Sequence, residues 1–178
     1  SPLHGLPDRP DRYRRVGVER DDVVGDDPIG WDHLDDLPLL DRVIDETLRQ
    51  HPPVHSLPRA TPRDVAFGDH VVPERSEVRV GAHANHHDDR LWDDPDAFEP
   101  ERWQQQRTNQ RPRFAYFPFG GGPRHCIGKH LAKLEAQLIL ARTASRYTLD
   151  SPRSERLEFR PSLTMHPKDG MPMTVHER

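Results

Sequence analysis

Cysteine is nearly missing from this chain: Cys126 is the only one in 178 residues. One thiol excludes an internal disulfide framework and suits a reducing, cytoplasmic setting. Apolar residues are also scarce. They make up 33% of the chain, and mean hydropathy is -0.93, lean for a self-sufficient core even at a length that accommodates one domain. No apolar run approaches a membrane span, and no signal-peptide pattern opens the sequence. An excess of positive charge is lacking too. The net charge of -4 and pI near 6.3 exclude a general nucleic-acid binder. Lysine is confined to Lys129, Lys133 and Lys168, and from Glu19 to Glu46 only Arg20 and Arg42 oppose the acids. The first residue is Ser1, not Met, so the sequence reads as starting inside a longer protein.

What is present falls into short elements. Residues 1–36 are rich in Pro, Gly and Asp with weak periodicity and read as an irregular lead-in, loop or frayed helix. Leu37 to Gln50 reads as a helix with Leu40, Val43, Ile44, Thr47 and Leu48 on one stripe, stopped by Pro52 and Pro53. Val65 to Ala82 alternates as short strands, with turns at Gly68-Asp69 and Glu74-Arg75-Ser76. Trp92 to Trp103 reads as a loop and Gln104 to Arg113 as an exposed excursion. Gly128 to Arg146 is a long helix whose broad apolar face predicts burial on more than one side. Leu157 to Val175 reads as short strands around a turn at Pro167-Lys168-Asp169-Gly170.

The densest chemical signal runs from Phe119 to Gly128, where a glycine-rich turn delivers Cys126 to the head of that long helix. A helix N-terminus carries partial positive charge and unpaired N–H groups, so it favours a thiolate. Three plainer readings compete. A lone cysteine is often a small buried hydrophobe. A Gly-rich turn before a helix can cradle phosphate, but Pro123 and His130 occupy positions where a Walker loop needs Gly and Ser or Thr. A zinc site wants further cysteines or a clear His set. Against these stands the order Phe-x-x-Gly-x-Arg-x-Cys-x-Gly, met by Phe119, Gly122, Arg124, Cys126 and Gly128, which resembles the haem-binding signature of cytochromes P450.

Other stretches agree with that resemblance. Glu46-Thr47-Leu48-Arg49 before Pro52-Pro53 resembles the family's Glu-x-x-Arg helix, and Pro100-Glu101-Arg102-Trp103 its Pro-Glu-Arg-Phe/Trp segment. The resemblance implies a buried structural triad of Glu46, Arg49 and Arg102. On spacing alone, Glu46 and Arg49 share a helix face as an ordinary surface pair would. His86-His87-Asp88-Asp89-Arg90-Leu91-Trp92 resembles the His-Arg-Asp-Pro-x-x-Trp stretch, departing at His87 and Asp89. Apart from that likeness, His83 and His86 read as solvent-facing or loop histidines.

The resemblance implies an α+β, mainly α fold: the C-terminal part of the cytochrome P450 fold, residues 37–178 running from the Glu-x-x-Arg helix onward. It implies haem b (iron protoporphyrin IX) with Cys126 as axial iron ligand. Phe119, Gly122 and Gly128 would lie near the sulfur, and Arg124 and Arg59 would meet the propionates. It implies a monooxygenase fed by a ferredoxin or reductase and acting on a small lipophilic substrate. Arg111, Arg113, Lys129 and Lys133 are candidates for docking an acidic electron donor. The family's distal helix, with its acid-Thr pair, has no counterpart in residues 1–37. No distal catalytic residue is therefore assigned, and the chain alone is expected to be inactive. The alternative reading is a truncated, non-catalytic haem-binding or unfolded remnant.

Overall fold

A computed structural model describes residues 10–25, 27–150, 158–160, 162 and 164–178. The fold is mixed α and β, mostly helical. Its elements in chain order are α1 (Pro10–Val24), a 3-10 turn (Trp31–Asp36), α2 (Pro38–Gln50), β1 (Ser56–Ala60), β2 (Val65–Phe67), β3 (His70–Val72), β4 (Glu77–Gly81) and α3 (Ala82–His86). A second 3-10 turn (Pro100–Trp103), α4 (Gln105–Thr108), α5 (Lys129–Arg146) and strands β5 (Tyr147–Asp150), β6 (Phe159–Arg160), β7 (His166–Pro167) and β8 (Thr174–Glu177) complete it.

The core sits where α1, α2 and α5 meet. Val16, Leu37, Leu40, Val43, Ile44, Phe98, Leu140, Ala141 and Ala144 pack together there. α2 buries the stripe its spacing predicts, and Pro38 stands at its start, where a missing N–H is harmless. α1 corrects the expectation of an irregular lead-in. Its own buried face is narrow (Val16, Arg20 and Val24), so periodicity is faint. What fixes it is tertiary: Glu19 accepts from the Leu39 and Leu40 N–H groups at 2.8 and 3.0 Å, satisfying donors at the head of α2.

The strands form antiparallel pairs, β1 with β4, β2 with β3, β5 with β8 and β6 with β7. β2 and β3 make the hairpin expected at Gly68, whose φ is +58. β1 and β5 were not anticipated. The Glu74-Arg75-Ser76 turn holds Arg75 at φ 63 without a glycine. Thr61 clamps it, accepting from Arg75 N at 2.8 Å through its carbonyl and from Ser76 N at 2.9 Å through its hydroxyl. The Pro167-Gly170 turn does not close a β7–β8 hairpin, because β7 returns to β6 and β8 crosses to β5. Leu157, the expected start of that strand region, lies outside the described residues.

α5 differs from expectation in burial. Leu140, Ala141 and Ala144 are in the core, whereas Leu131 and Ile139 are 60% and 63% exposed. Only one side of this helix is covered among the described residues.

Candidate functional site

The cysteine turn is shaped by backbone. Gly120 and Gly122 have φ of +74 and +67, which side-chain-bearing residues rarely adopt. Gly120 N donates to Phe117 O at 2.9 Å, and Cys126 N donates to Phe119 O at 2.8 Å. The turn thereby closes on itself and leaves the Cys126 side chain exposed. Gly128 caps α5, and a Cβ there would make an ordinary van der Waals contact with Cys126 Sγ at 3.8 Å. Phe119 is half-buried and presents its carbonyl to the turn.

Arg124 and Arg59 are both exposed. Arg59 Nη1 donates to the carbonyl of Pro58 at 2.8 Å, and neither guanidinium has an acidic partner among the described residues. Arg59, Leu57, Val80, Phe114, Phe117, Gly121 and Gly122 line an open hollow of about 250 Å³. β1 is brought against the turn here, where a Cβ on Gly120 would touch Leu57 Cδ1 at 3.5 Å. Cys126 and Arg124 do not line that hollow, but both belong to the turn whose Gly121 and Gly122 do, and the chemistry of these groups suits haem: sulfur for the iron, guanidinium forks for carboxylates, and hydrocarbon for the ring.

Behind the turn lies an ionic network. Glu46 is 0% exposed, Arg49 0% and Arg102 3%. Glu46 accepts from Arg49 Nε at 2.9 Å and Nη2 at 3.0 Å, from Arg102 Nε at 2.9 Å, from Trp103 Nε1 at 2.9 Å and from Glu99 N at 2.8 Å. Five donors on one carboxylate offset its desolvation, as an isolated pair could not. The arginines spend their remaining N–H groups on carbonyls of His86, Ala97, Asp93 and Asp94. That grips the whole 86–103 segment.

The family follows from this arrangement taken with direct comparison. The sequence profile of the family described as Cytochrome P450 matches residues 3–173. This chain belongs to the cytochrome P450 family. Human Cytochrome P450 4F8 is 31% identical over 177 residues, covering 97% of this chain and 34% of that protein. Mouse Cytochrome P450 4A10 is 34% identical over 149 residues, 83% of this chain and 29% of that protein. Among solved structures, the haem domain of cytochrome P450DA superposes with a TM-score of 0.92 at 28% identity, covering 99% of this chain and 40% of that one. The chain thus spans about a third of the curated P450 relatives it matches.

Two of the four basic residues expected to dock a donor are committed elsewhere. Lys133 pairs with Asp41 at 2.9 Å and Asp45 at 3.1 Å, tying α5 to α2. Burial works against its charge, but the two acids outweigh burial and raise its pKa. Arg111 lies over the Trp92 and Trp103 rings at 4.6 and 4.7 Å and donates to the Arg102 carbonyl. Arg113 and Lys129 remain exposed.

His86 also corrects the sequence reading. It is 0% exposed, not solvent-facing. No group of three His, Cys, Asp or Glu able to hold a metal occurs among the described residues.

Proposed function

We propose that this chain forms the thiolate side of a haem-thiolate monooxygenase, which inserts one oxygen atom from dioxygen into a small lipophilic substrate. The observation that carries the reading is the exposed Cys126 at the head of α5, with Arg124 two residues before it and Arg59 on β1 both without an acidic partner among the described residues. Membership of the P450 family supplies the haem-thiolate ancestry. When bound, haem b would supply the activation of dioxygen, favoured by electron donation from a thiolate. Cys126 would hold the iron. Arg59 and Arg124 would orient the propionates, as planar forks suit carboxylates. Leu57, Val80 and Phe114 would keep water from the ring edge. One human relative is named an ultra-long-chain fatty acid omega-hydroxylase, which is consistent with a lipophilic substrate. A cytoplasmic setting rests on the single cysteine.

The test is the carbon monoxide spectrum of the reduced, haem-loaded protein. It is expected to show the red-shifted Soret band of thiolate ligation, and Cys126→Ser is expected to lose it. A Cys126→Ser protein that keeps the band would remove Cys126 from the iron.

Electrons would come from an acidic ferredoxin or reductase meeting Arg113 and Lys129. Charge reversal at Lys129 is then expected to slow electron transfer by about tenfold at low salt, with the difference shrinking as ionic strength rises. Lys133→Glu should instead lower the melting temperature, because it places a third acid beside Asp41 and Asp45. Stopped-flow reduction across a salt series separates the two. Equal rates for wild type and Lys129→Glu at every salt would exclude this docking face.

A further inference from the structure

We propose that His86 is the positioning residue of the thiolate loop, a single imidazole that fixes the cysteine turn against the Glu46 network. The proposal rests on the reading that Cys126 holds haem iron, and it adds what holds Cys126 in place.

Both ring nitrogens of His86 are committed, each to a different segment. Nε2 lies 3.0 Å from Phe117 N, and Nδ1 lies 3.2 Å from Arg49 O. A backbone N–H can only donate, so Nε2 must accept and carries no proton. Nδ1 then holds the proton and donates to the Arg49 carbonyl. Geometry alone therefore selects one neutral tautomer. An imidazolium would lose the Phe117 bond outright.

The connection is reciprocal on the α2 side. Arg49 Nη1 donates to the backbone carbonyl of His86 at 2.6 Å, while the His86 ring reaches the backbone carbonyl of Arg49. The residue that serves Glu46 is thus bound to His86 twice. On the other side, Phe117 is where the cysteine turn begins. Its N–H is taken by His86, and its carbonyl accepts Gly120 N–H at 2.9 Å. Next in line, Phe119 O accepts Cys126 N–H at 2.8 Å. A continuous line of short contacts leads from Glu46 through Arg49, His86 and Phe117 into the turn.

The ring has little freedom to tilt. Tyr116 and Phe117 lie with centroids 5.3 Å away and Trp92 at 6.4 Å. The charged or titratable groups facing it are Arg49 from α2, His83 from α3, His87 just after α3, and Tyr116 from the loop. Burial and the nearby cations keep it neutral, with a pKa held at about 4.

The experiment compares three variants of the haem-loaded protein by carbon monoxide spectrum and by amide hydrogen exchange. His86→Phe keeps the ring bulk and removes both hydrogen bonds. His86→Gln has reach enough to offer an acceptor to Phe117 N–H. His86→Asn has a donor for the Arg49 carbonyl but is too short for Phe117. Exchange over residues 117–126 is expected to rise about tenfold or more in His86→Phe and His86→Asn, the size of one lost buried hydrogen bond. His86→Gln is expected to restore slow exchange and the thiolate band. Exchange in α2 should stay slow in every variant. If His86→Phe does not accumulate, the pair of Gln and Asn variants decides. Wild-type exchange and a wild-type band in His86→Phe or His86→Asn overturn the proposal, as does a Gln variant no better than Asn. A wild-type protein without a thiolate band would defeat the haem assignment instead, and exchange in the apoprotein would still decide the role of His86.

Discussion

Glu46→Ala is expected to abolish folded protein. Its carboxylate is the common acceptor for Arg49, Arg102, Trp103 and the Glu99 N–H. Removing it leaves the Arg49 guanidinium, 0% exposed, without a counter-charge among the described residues, and leaves Arg102, 3% exposed, with only Glu99 Oε2 at 3.5 Å. Stranding buried charge in this way costs about 3–5 kcal/mol. Natural domains hold only about 5–15 kcal/mol in total, and this chain has a lean core. Glu46→Gln keeps the shape but not the charge, so it should rescue little. The readout is soluble yield with circular dichroism and a urea midpoint. A Glu46→Ala protein that melts with wild type would mean that the network adds nothing to stability.

Acid should destabilise the fold well before its surface carboxylates titrate. The His86 pKa is held at about 4 by burial, with the Arg49 charge acting in the same direction. In the unfolded chain it returns to about 6.5. Between those values the unfolded state binds a proton that the native state refuses, so stability falls as pH falls. The contribution is fully present above about 6.5 and lost by about 4, and it amounts to roughly 3 kcal/mol. Asp45 works in the opposite sense. Burial raises its pKa, with Lys133 offsetting part of the shift, so protonating Asp45 in acid favours the folded state. The observed slope is the difference between the two. Urea midpoints measured from neutral pH down to about 4.5 should decline in wild type and flatten in His86→Gln. A wild-type midpoint constant over that range would show that His86 does not govern acid stability.

The legible parts of this molecule were local in sequence. The cysteine turn and the Glu-x-x-Arg helix could be read because their geometry is written within ten residues. α2 and α5 carry their own periodicity. What could not be read depends on partners far along the chain. α1 has a narrow buried face, and its fixing contact is Glu19 on the head of α2. β1 contains Pro58 and lacks alternation, and only β4 makes it a strand. Lys133 looked like a free surface cation because no acid stands three or four residues from it on its own helix. A signal was available: Asp41 and Asp45 stand four apart on α2, a like-charged pair on one face that calls for a cation from elsewhere. His86 gave no periodic signal, since α3 has only five residues. Its place in a stretch resembling the family's His-Arg-Asp-Pro-x-x-Trp was the available hint.

The Glu46 network also has a timetable. Its partners Glu99, Arg102 and Trp103 lie 53, 56 and 57 residues downstream. Ribosomes add about 5–20 residues per second. For several seconds after α2 emerges, on the order of three to ten, Glu46 and Arg49 have only each other and water. α2 can coil in that interval but cannot bury its charged end. Cys126 follows later still, so the thiol reaches a framework whose ionic centre is already assembled. A pause in translation well beyond Trp103 would favour that order, whereas rare codons at Trp103 itself would hold the half-built network open.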